Sequence, residues 1–224
     1  IDSTGSVNTD AGFSIVSYSG NSTAGATIAH GLGATPKMMI VRKRNSAENW
    51  LVYHASTGNT GATLLNGTNA FFQDDMWNST SPTSSVFTVH GGAGANASGG
   101  TYIAYCFTDV KGYSKFSSYI GNGNADGAFV YTGFKSAFVM IKKTSGTGNW
   151  CLFDNKRGVN GAMIQLNPDV NNADNTSNYI DFLSNGFKCR NTASDKNASG
   201  GSYIYMAFSE NPFVTSTGVP ATAR

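Results

Sequence analysis

The sequence predicts an all-β fold made of two successive repeats of about 100 residues, and three observations carry that expectation. The stretch NASGGTYIAYCF at 96–107 returns as NASGGSYIYMAF at 197–208, identical at eight of twelve positions and displaced by 101 residues. Apolar residues come in short runs rich in Ile, Val, Tyr and Phe, closed off by Gly, Asn, Ser and Pro, which is the pattern of strands and tight turns. No segment sustains a helical apolar period between capping residues.

The repeat can be followed along the chain. GFSIVSYSGNSTAG from Gly12 matches GYSKFSSYIGNGNADG from Gly112, and KMMIVRK at 37–43 matches AFVMIKK at 137–143. Asn49–Trp50 in NWLVYH recurs as Asn149–Trp150 in NWCLFD, and SVFTV at 85–89 falls opposite NGFKC at 185–189. Asn96 and Asn197 open the closing match. The stretches 55–84 and 155–184 have diverged beyond alignment. This gives a lead-in at 1–11, repeats at 12–111 and 112–213, and a tail at 214–224. The lead-in reads as polar chain, as if the sequence began partway through something longer.

Within each copy, runs such as FSIVSY, ATIAHG, KMMIVRK, WLVYHA, VFTV and TYIAYCF predict six or seven strands. GNSTAG and GNGNADG occupy equivalent turns, where Gly or Asn permits positive φ. That number of strands predicts a β-sandwich of the jelly-roll or lectin-like kind. In TYIAYCF, Ile103, Tyr105 and Phe107 face one way, and Tyr102, Ala104 and Cys106 the other. Both sets are apolar, which predicts a central strand covered on both sides. Only TDVK separates this strand from Gly112, too short for a flexible linker, so the expectation is two bodies packed rigidly together.

Composition narrows the function. Only 12% of residues are charged and the net charge is +2, so the surface is covered mainly by Asn, Ser, Thr and Gly. Such a surface suits extracellular and virion β-proteins. It supplies no concentrated positive face for nucleic acid. Arg42, Lys43 and Arg44, and their counterparts Lys142 and Lys143, read as solvated strand ends leading into turns. No apolar run reaches the roughly 18 residues a membrane helix needs, and no signal-peptide pattern opens the chain. Cys106, Cys151 and Cys189 are three thiols without close spacing, which argues for small buried side chains over disulfides or a metal site. His30, His54 and His90 have no motif linking them to any of these cysteines.

Catalytic patterns are missing: no Walker loop, nucleophile elbow, HExxH or EF-hand spacing. GGAGAN at 91–96 runs into a strand and reads as a loop. No acid–base pair or nucleophile–base arrangement can be read, so the chain is expected not to be an enzyme. Trp50 and Trp150 open equivalent strands and are expected to pack internally. Trp77, in the diverged and polar DDMWNSTSPTSS, is the candidate for stacking a sugar ring, with Asp74 and Asp75 as the neighbouring hydrogen-bonding groups. Trp77 tucked under its own loop is the plainer alternative. No cofactor or dedicated metal site is expected, although a calcium-ligand role is open to Asp74 and Asp75, and to Asp169 and Asp174. Asn21, Asn66, Asn78, Asn96, Asn175 and Asn197 are glycosylation sequons, relevant only in a eukaryotic secretory pathway.

The run GFSIVSYSGN…HGLGATPKMMIVRKR…NWLVYH…NASGGTYIAYCF, followed by GYSKFSSYIGNGNADGAFVYTGF and YIYMAFSENPF, resembles a duplicated β-domain of uncharacterised function. That domain is found at the C-terminal ends of tail-fibre and other virion structural proteins of tailed bacteriophages, many of them marine. The resemblance covers roughly residues 10–214 in order. It implies a non-catalytic viral protein on the virion surface, in a tail fibre, tail tip or similar part, serving host recognition or fibre assembly. The partners it implies are other copies of the chain, as a homo-oligomer such as a trimer, other virion proteins, and a host-surface glycan. The diverged stretches at 55–84 and 155–184 are where such contacts are expected, because loops on a rigid scaffold carry recognition. Two other readings stay open: a purely structural capsid-decoration or assembly module, and a secreted lectin-like carbohydrate-binding module.

Overall fold

Alternation in FSIVSYS sends Ser14, Val16 and Tyr18 inward and leaves Phe13, Ile15 and Ser17 half-buried on the other side. Strands of this kind dominate the computed structural model, which describes residues 1–159, 162–176 and 179–211. The chain divides into two compact units, Ile1–Asp109 and Val110–Arg224.

The first unit contains β1 (Ser3–Asn8), β2 (Phe13–Ser19), β3 (Ala26–Ala29), β4 (Met38–Lys43), β5 (Leu51–His54), β6 (Gly58–Leu64), β7 (Phe72–Gln73), β8 (Val86–Val89), the single helical turn α1 (Ala93–Asn96) and β9 (Thr101–Phe107). Seven of these strands form one antiparallel sheet in the order β1-β2-β9-β4-β5-β6-β7, and β3 pairs with β8. Tyr102, Ala104 and Cys106 from β9 meet Ile28 and Phe87 from the β3–β8 pair in a core completed by Met39, Val41, Tyr53 and Trp77.

The second unit contains β10 (Ser114–Ile120), β11 (Phe129–Tyr131), β12 (Ser136–Lys143), β13 (Trp150–Asp154), β14 (Gly158–Val159), β15 (Ala162–Met163), β16 (Ile180–Leu183), β17 (Gly186–Cys189) and β18 (Ser202–Ser209). A four-stranded sheet, β10-β18-β12-β13, and a three-stranded one, β11-β17-β16, enclose Val139, Ile141, Phe153, Phe187, Tyr203 and Tyr205. A sandwich-like, nearly all-β architecture therefore holds, as the short apolar runs predict.

The recurring NASGG stretch has a structural use. Tyr18 and Tyr102 stack at 5.1 Å, and Tyr119 and Tyr203 stack at 5.0 Å. The Tyr18 hydroxyl donates to the Ala95 carbonyl (2.8 Å) and the Tyr119 hydroxyl to that of Lys196 (2.7 Å). Asn96 accepts from the Asn21 amide and donates to the Thr23 carbonyl; Asn197 accepts from the Asn122 amide and donates to the Asn124 carbonyl. Asn96 and Asn197 are fully buried, so as sequons they present no side chain to a glycosylating enzyme.

Several expectations need correction. Residues 3–8 of the polar lead-in are β1, an edge strand whose partners run from Ser3↔Tyr18 to Asn8↔Phe13. It has no apolar alternation because nearly all of it faces solvent. The diverged stretch 55–84 is not all loop either, since β6 and β7 extend the large sheet. β9 is central, between β2 and β4, but only its Tyr102–Ala104–Cys106 face is fully buried; Ile103, Tyr105 and Phe107 are half-exposed. Part of GGAGAN forms α1 rather than a loop. Lys142 is not a solvated strand end: it is fully buried, with its ammonium donating to the Gly148 carbonyl at 2.5 Å and lying 5.9 Å from the centre of the Trp150 ring. Trp150 is buried as expected, whereas Trp50 is half-buried with Arg42 at 5.6 Å from its ring.

Candidate functional site, a carboxylate-lined cleft in the first unit

The segment after β6 is turned back onto the sheet by one glycine. A Cβ at Gly61 would collide with the Phe72 carbonyl and come within 2.7 Å of the Phe71 ring, so only glycine lets this chain approach. The Gly61 carbonyl then accepts the Trp77 indole N–H at 2.9 Å. Trp77 is completely buried and meets Tyr53 edge-on at 5.8 Å. The sugar-stacking platform expected at Trp77 is therefore not formed, because both faces of the ring are covered by core side chains. Its polar neighbours in the sequence are the turn above it, which is the plainer alternative.

That anchor fixes the two neighbouring carboxylates. The Asp74 amide donates to the Thr60 carbonyl (3.1 Å), Asp75 Oδ1 accepts from the Ser79 hydroxyl (3.1 Å), and the His90 amide donates to the Met76 carbonyl (3.0 Å). Asp74 and Asp75 lie past the end of β7, outside the strand alternation that would point them to opposite faces. Both line a cleft of about 540 Å³. Glu48 and Asn49 from the β4–β5 connection, Asn69, and His90 complete its polar rim, and Leu51, Leu64, Phe72 and Met76 give it an apolar floor. Sequence reasoning found the two aspartates and missed Glu48, Asn69 and His90, which lie far apart in the chain and share no motif. Asn49 was visible only as half of the recurring Asn–Trp pair.

The matching place in the second unit is filled. Leu51 pairs with Val41 as Cys151 pairs with Ile141; the Met76 carbonyl accepts from His90 as the Tyr179 carbonyl accepts from Arg190; Ala95 and Lys196 accept from equivalent tyrosines. Where the first unit has Gly94 and Ala95, the second has Asp195 and Lys196. The Lys196 ammonium, 1% exposed, lies 2.6 Å from Asp195 Oδ1, 2.7 Å from Gln165 Oε1, 3.9 Å from Cys151 Sγ and 3.9 Å from the centre of the Tyr179 ring. Burial pushes the Cys151 thiol well up. This network holds the polar groups at that place internally, whereas the cleft leaves those of the first unit facing solvent.

Of the other candidate ligands, Asp169 accepts the Trp150 amide through Oδ2 (3.2 Å), and burial raises its carboxyl; Asp174 is exposed. Among the described residues no group of three His, Cys, Asp or Glu side chains is placed to hold a metal ion. The three cysteines are free and buried, and no helix among the described residues is long and apolar enough to cross a membrane.

Comparisons with curated proteins and with solved structures find no match. A family model does match, over residues 1–212 of the 224. The chain belongs to the family defined by this domain of unknown function, DUF7483.

Proposed function

We propose that the chain is a non-catalytic recognition module, carried on the virion surface of a tailed bacteriophage, that binds a host-surface glycan in the cleft of its first unit. The observation that carries this reading is the cleft itself: Asp74, Asp75, Glu48, Asn49 and Asn69 converge around an apolar floor of Leu51, Phe72 and Met76. Carboxylates and amides accept and donate to sugar hydroxyls and amines, while the apolar floor takes the C–H face of the ring; a concave site with few polar groups on an apolar base is the usual form of a small-ligand site. The aspartates stand on a turn held by a buried tryptophan, so they are positioned before the ligand arrives, which lowers the ordering cost of binding.

The virion setting is supported by the sequence resemblance to tail-fibre and other virion proteins and by a surface poor in charge. Weak single sites would gain affinity by repetition on a multimeric fibre. The test is binding of the purified chain to an array of bacterial-surface glycans, with Asp74→Asn/Asp75→Asn alongside. Specific binding lost in the variant is expected. A well-folded oligomer that binds no glycan would overturn the reading in favour of a purely structural assembly module.

A further inference from the structure

We infer that the outer face of β11, β17 and β16 in the second unit is a separate saccharide-binding platform, with Phe129 and Tyr131 as the stacking residues. These two side chains are 47% and 65% exposed, while Val130 between them is buried. The strand period puts both rings on one face, about 7 Å apart. Gly186, opposite Tyr131, has no side chain to cover them, and a Cβ there would lie 3.1 Å from the Phe129 ring.

The fold does not require rings at these places. In the first unit Ile28 pairs with Phe87 in the core as Val130 pairs with Phe187 in the second. The residues flanking Ile28 are Thr27 and Ala29. The same strand is thus built with a hydroxyl and a methyl where the second unit exposes two aromatic rings to water.

The surroundings of the rings select the occupant. Lys188, paired with Phe129, bonds Asp126 at 2.6 Å, and Arg190 reaches Asp126 at 3.5 Å and Asp181 at 3.1 Å. Two acids and two bases make a rim of no net charge, rich in fixed donors and acceptors, which complements a neutral polyhydroxylated ligand. A protein partner is a poor match on size: a stable interface needs about 800 Å² from each side, and two aromatic side chains bury about 150–250 Å² each. A pyranose ring presents one C–H face to an aromatic ring and its hydroxyls to the rim, so a glycan chain of two or more residues fits both rings. This site does not depend on the cleft of the first unit.

The experiment is affinity electrophoresis of the full chain through gels containing dextran, galactan, hydroxyethyl cellulose or soluble chitin oligomers, with sedimentation velocity in parallel. Phe129→Thr/Tyr131→Ala writes the first unit's residues into β11, so the strand keeps a sequence known to pair in this setting. Retardation by at least one polysaccharide is expected, weakened at least tenfold in this variant and unchanged in Ile120→Thr, an exposed position in neither site. Absence of retardation by all four, or retardation equal in the Phe129/Tyr131 variant, would overturn the proposal. So would a fall in self-association in that variant without any change in retardation, which would make the rings a contact between copies.

Discussion

Tyr18 and Tyr102 lie nearly parallel, 13° apart at 5.1 Å, and both hydroxyls end on the backbone of one short segment, at Ala95 and at Ala93. Tyr119 and Tyr203 do the same at 17° and 5.0 Å, on Lys196 and Ser194. In each unit this pair holds the NASGG segment against the sheet, and the asparagine at its start ties that segment to the turn after the first long strand. Asn96→Ala removes the bonds to Asn21 and Thr23 and leaves both groups without this partner. A loss of about 2–3 kcal/mol is expected, with Asn197→Ala costing a similar amount, read from urea midpoints at unchanged slope.

Trp77 supports the cleft from behind. Trp77→Phe keeps most of the buried ring but strands the Gly61 carbonyl, and should cost about 1–3 kcal/mol. Trp77→Ala opens a core cavity and should cost about 3–5 kcal/mol. Thermal unfolding of the two variants checks the order.

Lys196 is held by a carboxylate, an amide and a ring inside the second unit. Lys196→Ala strands Asp195 and Gln165 and should cost about 3–5 kcal/mol, whereas Lys196→Met with Asp195→Ala removes both charges and should recover much of that loss. Equal destabilisation by the single and double variants, in a double-mutant cycle, would show the ion pair to be immaterial.

Alkaline pH should weaken the fold through its thiols. Burial pushes Cys106 up from 9.0 to about 12 and Cys189 to about 11. Folding favours their neutral forms, so that stability is complete below pH 9 and is lost as pH rises through the folded values. Lys142 opposes them: burial lowers it from 10.5 to about 8, and the folded chain escapes that penalty between pH 8 and 10.5. The thiols outnumber the amine, so urea midpoints should fall above pH 9. Cys106→Ala should make the decline shallower, and Lys142→Met should make it steeper.

How legible this was in the sequence depended on whether one side chain or its neighbours decided the outcome. β2 and β9 bury alternate residues and β4 and β5 bury runs of consecutive apolar ones, and their letters show it. β1 buries almost nothing, so its polar sequence gave no strand signal. Trp77 was misleading because DDMWNS describes the turn above it, while its burial is decided by Gly61, sixteen residues upstream. Lys142 looked like a solvated strand end and nothing in the sequence singled out Lys196; the ammonium of Lys142 meets the Gly148 carbonyl, and that of Lys196 meets Gln165, 31 residues away, only in the folded unit. Asp74 and Asp75 stand out in the sequence and line the cleft, but Glu48, Asn69 and His90 join them only in the folded unit. Nothing in GAFVYTGF sets Phe129 and Tyr131 apart from buried Val130; their exposure appears only in the folded β11.

The most direct measurement is a calorimetric titration of the best-binding glycan from the array into the wild-type chain, Asp74→Asn/Asp75→Asn and Trp77→Phe. The account predicts at least a tenfold loss of affinity in the aspartate variant at unchanged melting temperature, and a smaller loss of affinity at lowered melting temperature for Trp77→Phe. Equal affinity in the wild type and the aspartate variant would contradict it, because the cleft would then not be where the glycan sits.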